Sequence, residues 1–388
     1  MKKIPLYIHI PFCRSKCSYC AFYSCINHTS VLEDEFINQL LLQIKDYMYL
    51  TGSDSLKTVY IGGGTPSVIS QKNMIRLFEL LKTYIKDEVE EFTMECNPED
   101  ISFDLIRLLN NSPVNRISLG VQSFNNNVLK KSGRISDEKV SVRAIEIINK
   151  FWVGRFSIDV ITGLPGQTIS GQKEDIIKTV NSGVDHISCY SLIIEENTPL
   201  FENQDIIPDP DDEDHMWTLC NEYLNSRGFS HYEISNYSKT GYESIHNMQY
   251  WKMNEYIGCG PGAVSMIYQN GIKRISNPHD IDLYTKGKEK DWGVIEEVIK
   301  TEDFLFENYM MGLRTKEGID REVFFTRFSC YPEELIKDTL DHLNSDAYYL
   351  TDKNLSLNED SRLFMNSILL KIYDEISLKY IDFKVNWP

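Results

Sequence analysis

No uninterrupted apolar run in this sequence approaches roughly 18 residues, the length that a transmembrane helix requires. No basic segment followed by a long apolar stretch opens the chain, so we expect no secretory signal. Positive charge is scarce, because 40 Lys and Arg residues face 57 Asp and Glu residues and leave a formal net charge of −17. That balance does not favour electrostatic binding to nucleic acid phosphates or to anionic membranes.

Cysteine is present but is not spaced as in a disulfide framework. The 388 residues include nine cysteines, an odd number, and six of them are scattered at wide intervals. Small secreted domains carry much denser cysteine patterns. We therefore expect free thiols and a cytoplasmic location.

The other three cysteines form a tight C-x3-C-x2-C group just after the apolar segment 5–12. Cys13, Cys17 and Cys20 supply three thiolates within eight residues. Iron–sulfur clusters are held by cysteine thiolates, and an iron without a protein ligand can bind a small molecule. A structural zinc site with a distant fourth ligand and three core cysteines are the alternatives. Tyr19, between the second and third cysteines, is a candidate aromatic cover for a cluster or its ligand.

Short apolar segments alternate with amphipathic helical patterns through the first half of the chain. This alternation predicts an α/β fold with six β-α units, whose parallel strands curl into a partial (β/α)6 barrel. The predicted strands are 6–10, 58–61, 92–96, 116–121, 156–161 and 187–193. The predicted helices are 31–50, 74–85, 103–109, 138–148 and 175–181.

The composition changes after residue 200 and again near residue 296. We predict a barrel unit over 1–200, an extension over 201–295 with a polar loop at 277–293, and a C-terminal helical, winged-helix-like unit over 296–388. That last unit combines helices at 304–313, 321–328 and 333–343 with a hairpin at 347–357 and a final helix. Winged helices often bind DNA, but residues 300–388 carry 11 Lys and Arg against 17 Asp and Glu. We therefore predict a packing or lid role and no nucleic acid partner.

A glycine run and four polar side chains follow later strands of the predicted barrel. The run GGGTP at 62–66 is either a tight strand-to-helix turn or a backbone surface that a ligand approaches closely. Glu95, Gln122, Arg134 and Asp159 lie in or just after neighbouring strands. Singly each could be a solvated loop residue, but parallel strands bring their carboxyl ends to one edge, where such folds bind ligands.

The segment 246–251, which reads H-N-x-x-Y-W, surrounds a histidine with aromatic and amide groups. An isolated histidine is more often a core or surface residue than a ligand. His246 beside Asn247, Tyr250 and Trp251 also fits a haem pocket, where an imidazole binds the iron and aromatic rings pack the macrocycle.

Together these motifs resemble the radical S-adenosylmethionine (SAM) superfamily, and within it the group that contains oxygen-independent coproporphyrinogen III dehydrogenase. The resemblance covers segments 5–13, 60–67, 116–124, 159–167 and 246–251. It implies that Cys13, Cys17 and Cys20 hold a [4Fe–4S] cluster whose fourth iron binds SAM. The residues that it implies for SAM contact are Tyr7, Tyr19, Gly63, Gly64, Thr65, Glu95, Gln122, Arg134, Asp159, Ser191 and Val264.

Two branches of that group compete, the dehydrogenase (HemN) and a haem chaperone branch (HemW). The dehydrogenase has a longer N-terminal arm and a further cysteine two residues after the third ligand, where this chain has Phe22. The H-N-x-x-Y-W segment, associated with haem binding in the chaperone branch, is intact. The resemblance therefore implies a chaperone that carries haem as cargo to apo-haemoproteins, with peripheral membrane contact through acceptors and a homodimer as further possibilities. A dehydrogenase performing radical oxidative decarboxylation, or another radical SAM enzyme, is the alternative.

Overall fold

The computed structural model describes residues 2–26, 28–269, 271–287 and 291–378. In chain order its first elements are β1 (Lys3–Ile10), β2 (Phe12–Cys13), β3 (Cys25–Ile26), α1 (Ser30–Leu50), β4 (Ser55–Gly63), α2 (Gln71–Lys82), β5 (Glu91–Cys96), α3 (Phe103–Asn110), β6 (Arg116–Gln122), α4 (Asn126–Lys131), α5 (Glu138–Phe151), β7 (Arg155–Thr162), α6 (Ile169–Asn181) and β8 (His186–Ser191). The later elements are α7 (Pro210–Ser226), β9 (Ser230–Glu233), β10 (Asn236–Ser238), α8 (Ile245–Trp251), β11 (Ile257–Cys259), β12 (Val264–Tyr268), β13 (Ile272–Ser276), α9 (Ile281–Lys286), β14 (Ile295–Ile299), α10 (Thr301–Gly312), β15 (Ile319–Asp320), α11 (Arg321–Phe328), α12 (Pro332–Leu335), α13 (Lys337–Asp341), β16 (Tyr348–Leu350), β17 (Asn354–Leu357), α14 (Glu359–Leu363) and α15 (Met365–Leu378).

A nine-stranded sheet in the order β11-β1-β4-β5-β6-β7-β8-β10-β9 forms the main layer. Its six central strands, β1 and β4 to β8, are the six predicted ones, and they pair in parallel. Strand β11 pairs in parallel with β1 at one edge, whereas β10 pairs antiparallel with β8 at the other. Within the described residues the outer strands β11 and β9 do not pair with each other, so the sheet is open.

The two faces of this sheet differ in polarity. Outward-facing apolar residues such as Ile8, Ile61 and Leu119 are fully buried and form one core cluster with the helices. The alternate residues, for example Thr93 and Ser118, are equally buried but polar. Successive side chains of a strand point to opposite faces, so the concave inner face is a polar lumen inside an apolar shell.

Several helix boundaries differ from the predicted ones. Helix α6 begins six residues early, because Thr168 Oγ1 accepts a hydrogen bond from Gly171 N at 3.1 Å and caps a first turn that lacks apolar periodicity. The predicted helix 333–343 is divided at Ile336 into α12 and α13. The prediction that 277–293 is a loop is wrong for α9, where buried Ile281 and Tyr284 pack into the main core; residues 288–290 lie outside the described residues.

The C-terminal elements form a second core. Helices α10, α11 and α15 and the small antiparallel sheet β15-β17-β16 bury Phe304, Tyr309 and Phe324. The helices and the hairpin predicted after residue 300 are therefore present, although 379–388 lie outside the described residues. The division of the chain at 200 and 296 stays a prediction, and strands β9 to β11 join the sheet of the first unit. None of the helices seen in the described part of the chain is both long and apolar enough to cross a bilayer.

Candidate functional site

A cavity of about 430 Å³ opens at the carboxyl ends of the parallel strands. Its walls come from the cysteine loop, the glycine run at the end of β4 and the ends of β5 to β8. The predicted site residues that line it are Cys13, Cys17, Tyr19, Cys20, Gly63, Gly64, Thr65, Glu95, Gln122, Arg134, Asp159 and Ser191. The fold thus brings these distant segments together at one edge of the sheet, as the parallel order of the strands predicts.

The cysteine loop is held in place by backbone hydrogen bonds on both sides. Ser18 N donates to Ser132 O at 3.1 Å, and Leu200 N donates to Ser18 O at 2.9 Å. Within the loop, Cys20 N donates to Cys17 O at 3.2 Å and closes a tight turn. The three thiols therefore project from a loop whose conformation the surrounding fold determines.

Two of the three thiols accept hydrogen bonds from side chains across the cavity. Thr65 Oγ1 donates to Cys13 Sγ at 3.5 Å, and Arg134 Nη1 donates to Cys17 Sγ at 3.8 Å. Burial raises the pKa of Cys13 and of Cys20, so these thiols keep their protons until a metal displaces them. Hydroxyl and guanidinium donors would stabilise the sulfurs once they are thiolates.

The arrangement of the cysteines fits a cluster better than a single metal ion. Within the described ranges, no three His, Cys, Asp or Glu side chains converge on one metal position. A zinc site needs ligands around one ion at about 2.3 Å from each sulfur. A [4Fe–4S] cluster instead takes each thiolate on a different iron, so three thiols on the wall of one cavity suit it and leave one iron open toward the cavity.

The glycine run leaves no room for side chains, because its backbone lies directly against β1 and the cysteine loop. Gly63 has φ +109°, and a Cβ there would lie 2.7 Å from the ring of His9. A Cβ on Gly64 would lie 2.7 Å from Phe12 O and 2.9 Å from Cys13 Sγ. Because Gly64 N also donates to Ile10 O at 2.8 Å, the run holds the cavity wall and the first cysteine in register.

Two buried carboxylates give the cavity an affinity for positive charge. Glu95 accepts hydrogen bonds from Tyr60 Oη at 2.9 Å and from Gly63 N at 3.2 Å. Asp159 accepts from Ser118 Oγ at 3.0 and 3.1 Å. Burial, together with the nearby Asp159, raises the pKa of Glu95 to about 7, and burial also raises the pKa of Asp159. A cationic ligand would relieve this unfavourable burial of negative charge.

Arg134 and Gln122 each have one buried polar atom that lacks a hydrogen-bond partner among the described residues. Arg134 Nη2 donates to Gly120 O at 2.6 Å and to Asn97 Oδ1 at 3.1 Å, but its Nε is buried without a hydrogen bond. Gln122 has φ +68° where β6 slips its register against β7, and its Oε1 is also buried without a partner. Backbone strain and unpaired polar atoms in one cavity are typical of a ligand site.

The remaining predicted SAM contacts, Tyr7 and Val264, do not line this cavity. Tyr7 lies deeper in the lumen, where its hydroxyl is 3.1 Å from His9 Nδ1, and burial raises its pKa above the usual range. Val264 lies in β12 with its carbonyl against Gly258. Their contact with SAM stays a prediction.

Asn97 and Tyr60 were not predicted as site residues, but both hydrogen-bond to residues that were. Asn97 Nδ2 donates to Thr65 Oγ1 at 3.1 Å, while its Oδ1 accepts from Arg134. Tyr60 donates to Glu95 from the middle of β4. Both lie within a few residues of a predicted site residue on the same strand or loop, and that adjacency was the available signal.

The H-N-x-x-Y-W segment forms α8 at the opposite, amino end of the lumen. His246 is fully buried; its Nδ1 is 2.9 Å from Thr58 Oγ1 and its Nε2 is 2.7 Å from Tyr250 Oη. Burial, with a smaller effect of the positive Arg116, lowers the pKa of His246 to about 3, so the imidazole is neutral. The other three residues predicted to contact haem are half-buried, namely Asn247, Tyr250 and Trp251.

The buried carboxylate of Glu91 fixes α8 against the sheet. Glu91 at the start of β5 accepts from Ile245 N at 2.6 Å and from Ser244 Oγ at 3.1 Å. Thr58, which contacts His246, precedes Gly63 by five residues of β4, so His246 lies outside the cavity, toward the amino end of the strand. The structure therefore brings the predicted cluster and SAM residues together and places the predicted haem residues elsewhere.

Comparison with known proteins identifies relatives over nearly the full length. The family model of the radical SAM superfamily matches residues 7–180. The heme chaperone HemW of Lactococcus lactis subsp. lactis is 36% identical over 91% of this chain and 95% of that protein. HemW of Escherichia coli is 32% identical over 95% of this chain and 98% of its own length.

A solved structure shares the fold. Coproporphyrinogen III oxidase (HemN) from Escherichia coli, described as a radical SAM enzyme, superposes with a TM-score of 0.80 at 19% identity, covering 95% of this chain and 90% of that one. At that identity the likeness bears on the fold alone. The fold class predicted from the sequence is confirmed.

Proposed function

The chain belongs to the HemW family of the radical SAM superfamily, and on that premise we propose that it binds haem and passes it to apo-haemoproteins. The predicted family resemblance is thereby confirmed. What carries the proposal is the near full-length similarity to proteins named haem chaperones. The intact H-N-x-x-Y-W segment and Phe22, at the position of the further cysteine of the dehydrogenase branch, support it.

Within this proposal the cavity at the carboxyl end of the sheet holds a [4Fe–4S] cluster and SAM. Cys13, Cys17 and Cys20 would hold the cluster, which supplies a redox centre with one iron open to a further ligand. Glu95 would accept from the SAM ammonium group, and Arg134 would pair with its carboxylate. Asp159 would orient the cationic ligand, while apolar side chains of the lining such as Ile161 and Leu192 would exclude water.

His246 is the proposed axial ligand of haem iron. Its neutral imidazole has the lone pair that iron needs, but Tyr250 occupies Nε2 and Thr58 occupies Nδ1. Ligation therefore requires the hydroxyl of Tyr250 to leave Nε2 and one end of α8 to shift. Tyr250 and Trp251 would then be available to pack the macrocycle.

A haem titration tests this assignment. The purified chain is titrated with haem and the Soret absorbance is followed for the wild type, for His246→Ala and for His215→Ala, which removes an exposed histidine. We expect His246→Ala to weaken haem binding by roughly tenfold or more, since an axial ligand is lost. His215→Ala should bind as the wild type does. Wild-type affinity in His246→Ala would show that the ligand is another residue and that α8 is a structural seal of the lumen.

An anaerobic activity assay separates the chaperone from the dehydrogenase. Protein with reconstituted cluster is incubated with SAM, a reductant and coproporphyrinogen III, and the release of decarboxylated product is measured. The chaperone proposal expects no turnover, together with transfer of bound haem to an added apo-haemoprotein. Robust product formation would contradict it. The identity of the acceptors, peripheral membrane contact, a homodimer and a cytoplasmic location stay predictions.

A further inference from the structure

Tyr60 contacts a key residue of each of the two separated sites. From the middle of β4 its hydroxyl donates to Glu95 Oε1 in the cavity at 2.9 Å. Its ring lies on the imidazole of His246, with centroids 5.3 Å apart and planes tilted by 32°. One side chain thus spans the lumen between the cofactor cavity and α8.

The inward face of β4 makes this link rigid. Alternate residues of a strand share a face, so Thr58, Tyr60 and Gly62 point into the lumen in turn. Thr58 contacts His246, and Gly62 lies so close to the Glu95 carboxylate that a Cβ there would be 2.9 Å from it. Tyr60 therefore has little freedom to move without disturbing one neighbour or the other.

Other side chains of the lumen do not contact both sites. The buried Arg116 donates to Thr93 and Ser157 and faces His186 Nδ1 at 3.3 Å, which places it between the sites without a hydrogen bond to either. In the described part of the chain, no side chain other than Tyr60 hydrogen-bonds or stacks with both Glu95 and His246. A mechanical connection between the sites runs through this tyrosine.

We propose that Tyr60 is a positioning residue that aims Glu95 at the SAM ammonium group and couples that site to His246, so that SAM and haem weaken each other's binding. The coupling rests on the proposed function, because it needs both ligands. Haem ligation draws the imidazole away from the Tyr60 ring, and the loosened hydroxyl no longer fixes Glu95. Since coupling between two ligands is reciprocal, each must weaken the other by the same factor.

Equilibrium binding to the full chain with reconstituted cluster tests the proposal. Labelled SAM is measured by anaerobic dialysis with and without haem, and haem by Soret titration with and without SAM. The variants are Tyr60→Phe, which keeps the ring and removes the hydroxyl, and the control Tyr309→Phe, which removes a buried hydroxyl that donates to Pro332 O in the C-terminal core. Iron content and circular dichroism establish that each variant folds.

We expect Tyr60→Phe to weaken SAM binding by about three- to tenfold, since the hydrogen bond that positions Glu95 is lost. Haem affinity without SAM should stay unchanged, and the mutual weakening seen in the wild type should disappear. Tyr309→Phe should match the wild type in every measurement. Wild-type SAM affinity in Tyr60→Phe, undiminished coupling in that variant, or independent binding of the two ligands to the wild type would overturn the proposal.

A second variant separates this proposal from the haem assignment and replaces Tyr60→Phe if that protein does not fold. His246 does not line the cavity. We nevertheless expect His246→Ala to weaken SAM binding in the absence of haem, because the Tyr60 ring loses the imidazole that it packs against. Unchanged SAM affinity in His246→Ala would overturn the positioning role. If the wild type bound no haem while both variants still weakened SAM binding, the haem function and the coupling would fail and the positioning role would stand.

Discussion

Arg134 donates a hydrogen bond from Nη1 to the Sγ of Cys17 across 3.8 Å, although 117 residues separate them in the chain. The contact joins the cysteine loop to the segment after α4 and places a fixed positive charge beside a sulfur. A guanidinium donor there would stabilise the negative charge on the sulfur once Cys17 holds a metal.

The first prediction concerns the cysteines. Replacement of Cys13, Cys17 or Cys20 by Ser should abolish bound iron and sulfide after anaerobic reconstitution, because each thiolate holds a different iron. Cys25→Ser is the matched control, since Cys25 is near in sequence but contacts Tyr23 rather than the cavity. Iron and acid-labile sulfide analysis decides the result. Full iron retention in a single cavity variant would contradict a three-cysteine cluster.

The second prediction concerns Gly64. In Gly64→Ala a methyl group meets Phe12 O and Cys13 Sγ, so we expect a loss of about 1–3 kcal/mol of unfolding free energy and a lower cluster content. Gly171→Ala, in the first turn of α6, is the control. The atom nearest to a Cβ on Gly171 would be the side-chain hydroxyl oxygen of Thr168, at 3.2 Å. Urea unfolding and iron analysis of both variants test this. Equal stability of the two would mean that the glycine run tolerates a side chain.

The third prediction is a pH dependence that originates in Glu95. Its pKa of about 7 in the fold exceeds the ordinary value of 4.5, so the folded chain keeps a proton that the unfolded chain releases between those values. The free energy of unfolding of the cluster-free protein should therefore fall as pH rises from 4.5 to 7, by on the order of 3 kcal/mol from this group. Above pH 7 its contribution is constant.

Glu95→Gln isolates that contribution. Since the amide does not titrate, urea unfolding of Glu95→Gln at pH 5 and pH 7.5 should show a smaller loss of stability than the wild type. An identical pH profile for the two proteins would place the proton elsewhere.

The fourth prediction concerns the anchor of α8. Glu91→Ala removes the acceptor of Ile245 N and Ser244 Oγ, and it leaves buried donors unpaired next to Arg116. We expect a loss of about 2–4 kcal/mol in unfolding free energy. Glu90→Ala, an exposed neighbour, should have little effect. Chemical denaturation compares them, and similar stabilities would show that α8 is held mainly by other contacts.

The sequence predicted the elements whose residues pack by simple periodicity. The six parallel strands and α1 have apolar residues that recur along one face, and the carboxyl-edge rule then brings Glu95, Gln122 and Asp159 to one cavity. Helix α9 escaped prediction because only Ile281, Leu283 and Tyr284 are apolar in a polar stretch. Its helical state depends on packing against α1 rather than on local pattern.

The position of His246 was likewise beyond local pattern. The residues that determine its environment, Thr58 and Tyr60, precede it by almost 190 positions, and no spacing rule connects them. A composition that suits a haem pocket equally suits an internal polar contact, and only the fold shows that both ring nitrogens are engaged.

The two backbone hydrogen bonds of Ser18, to Ser132 and from Leu200, bear on how iron enters the protein. A zinc finger gains its shape only when metal binds, so it loses that shape under a chelator. Here protein groups outside the cysteine loop hold its backbone, so the fold itself offsets part of the conformational entropy that ordering the loop costs. We therefore expect anaerobic removal and restoration of iron to leave the far-ultraviolet circular dichroism of the protein unchanged.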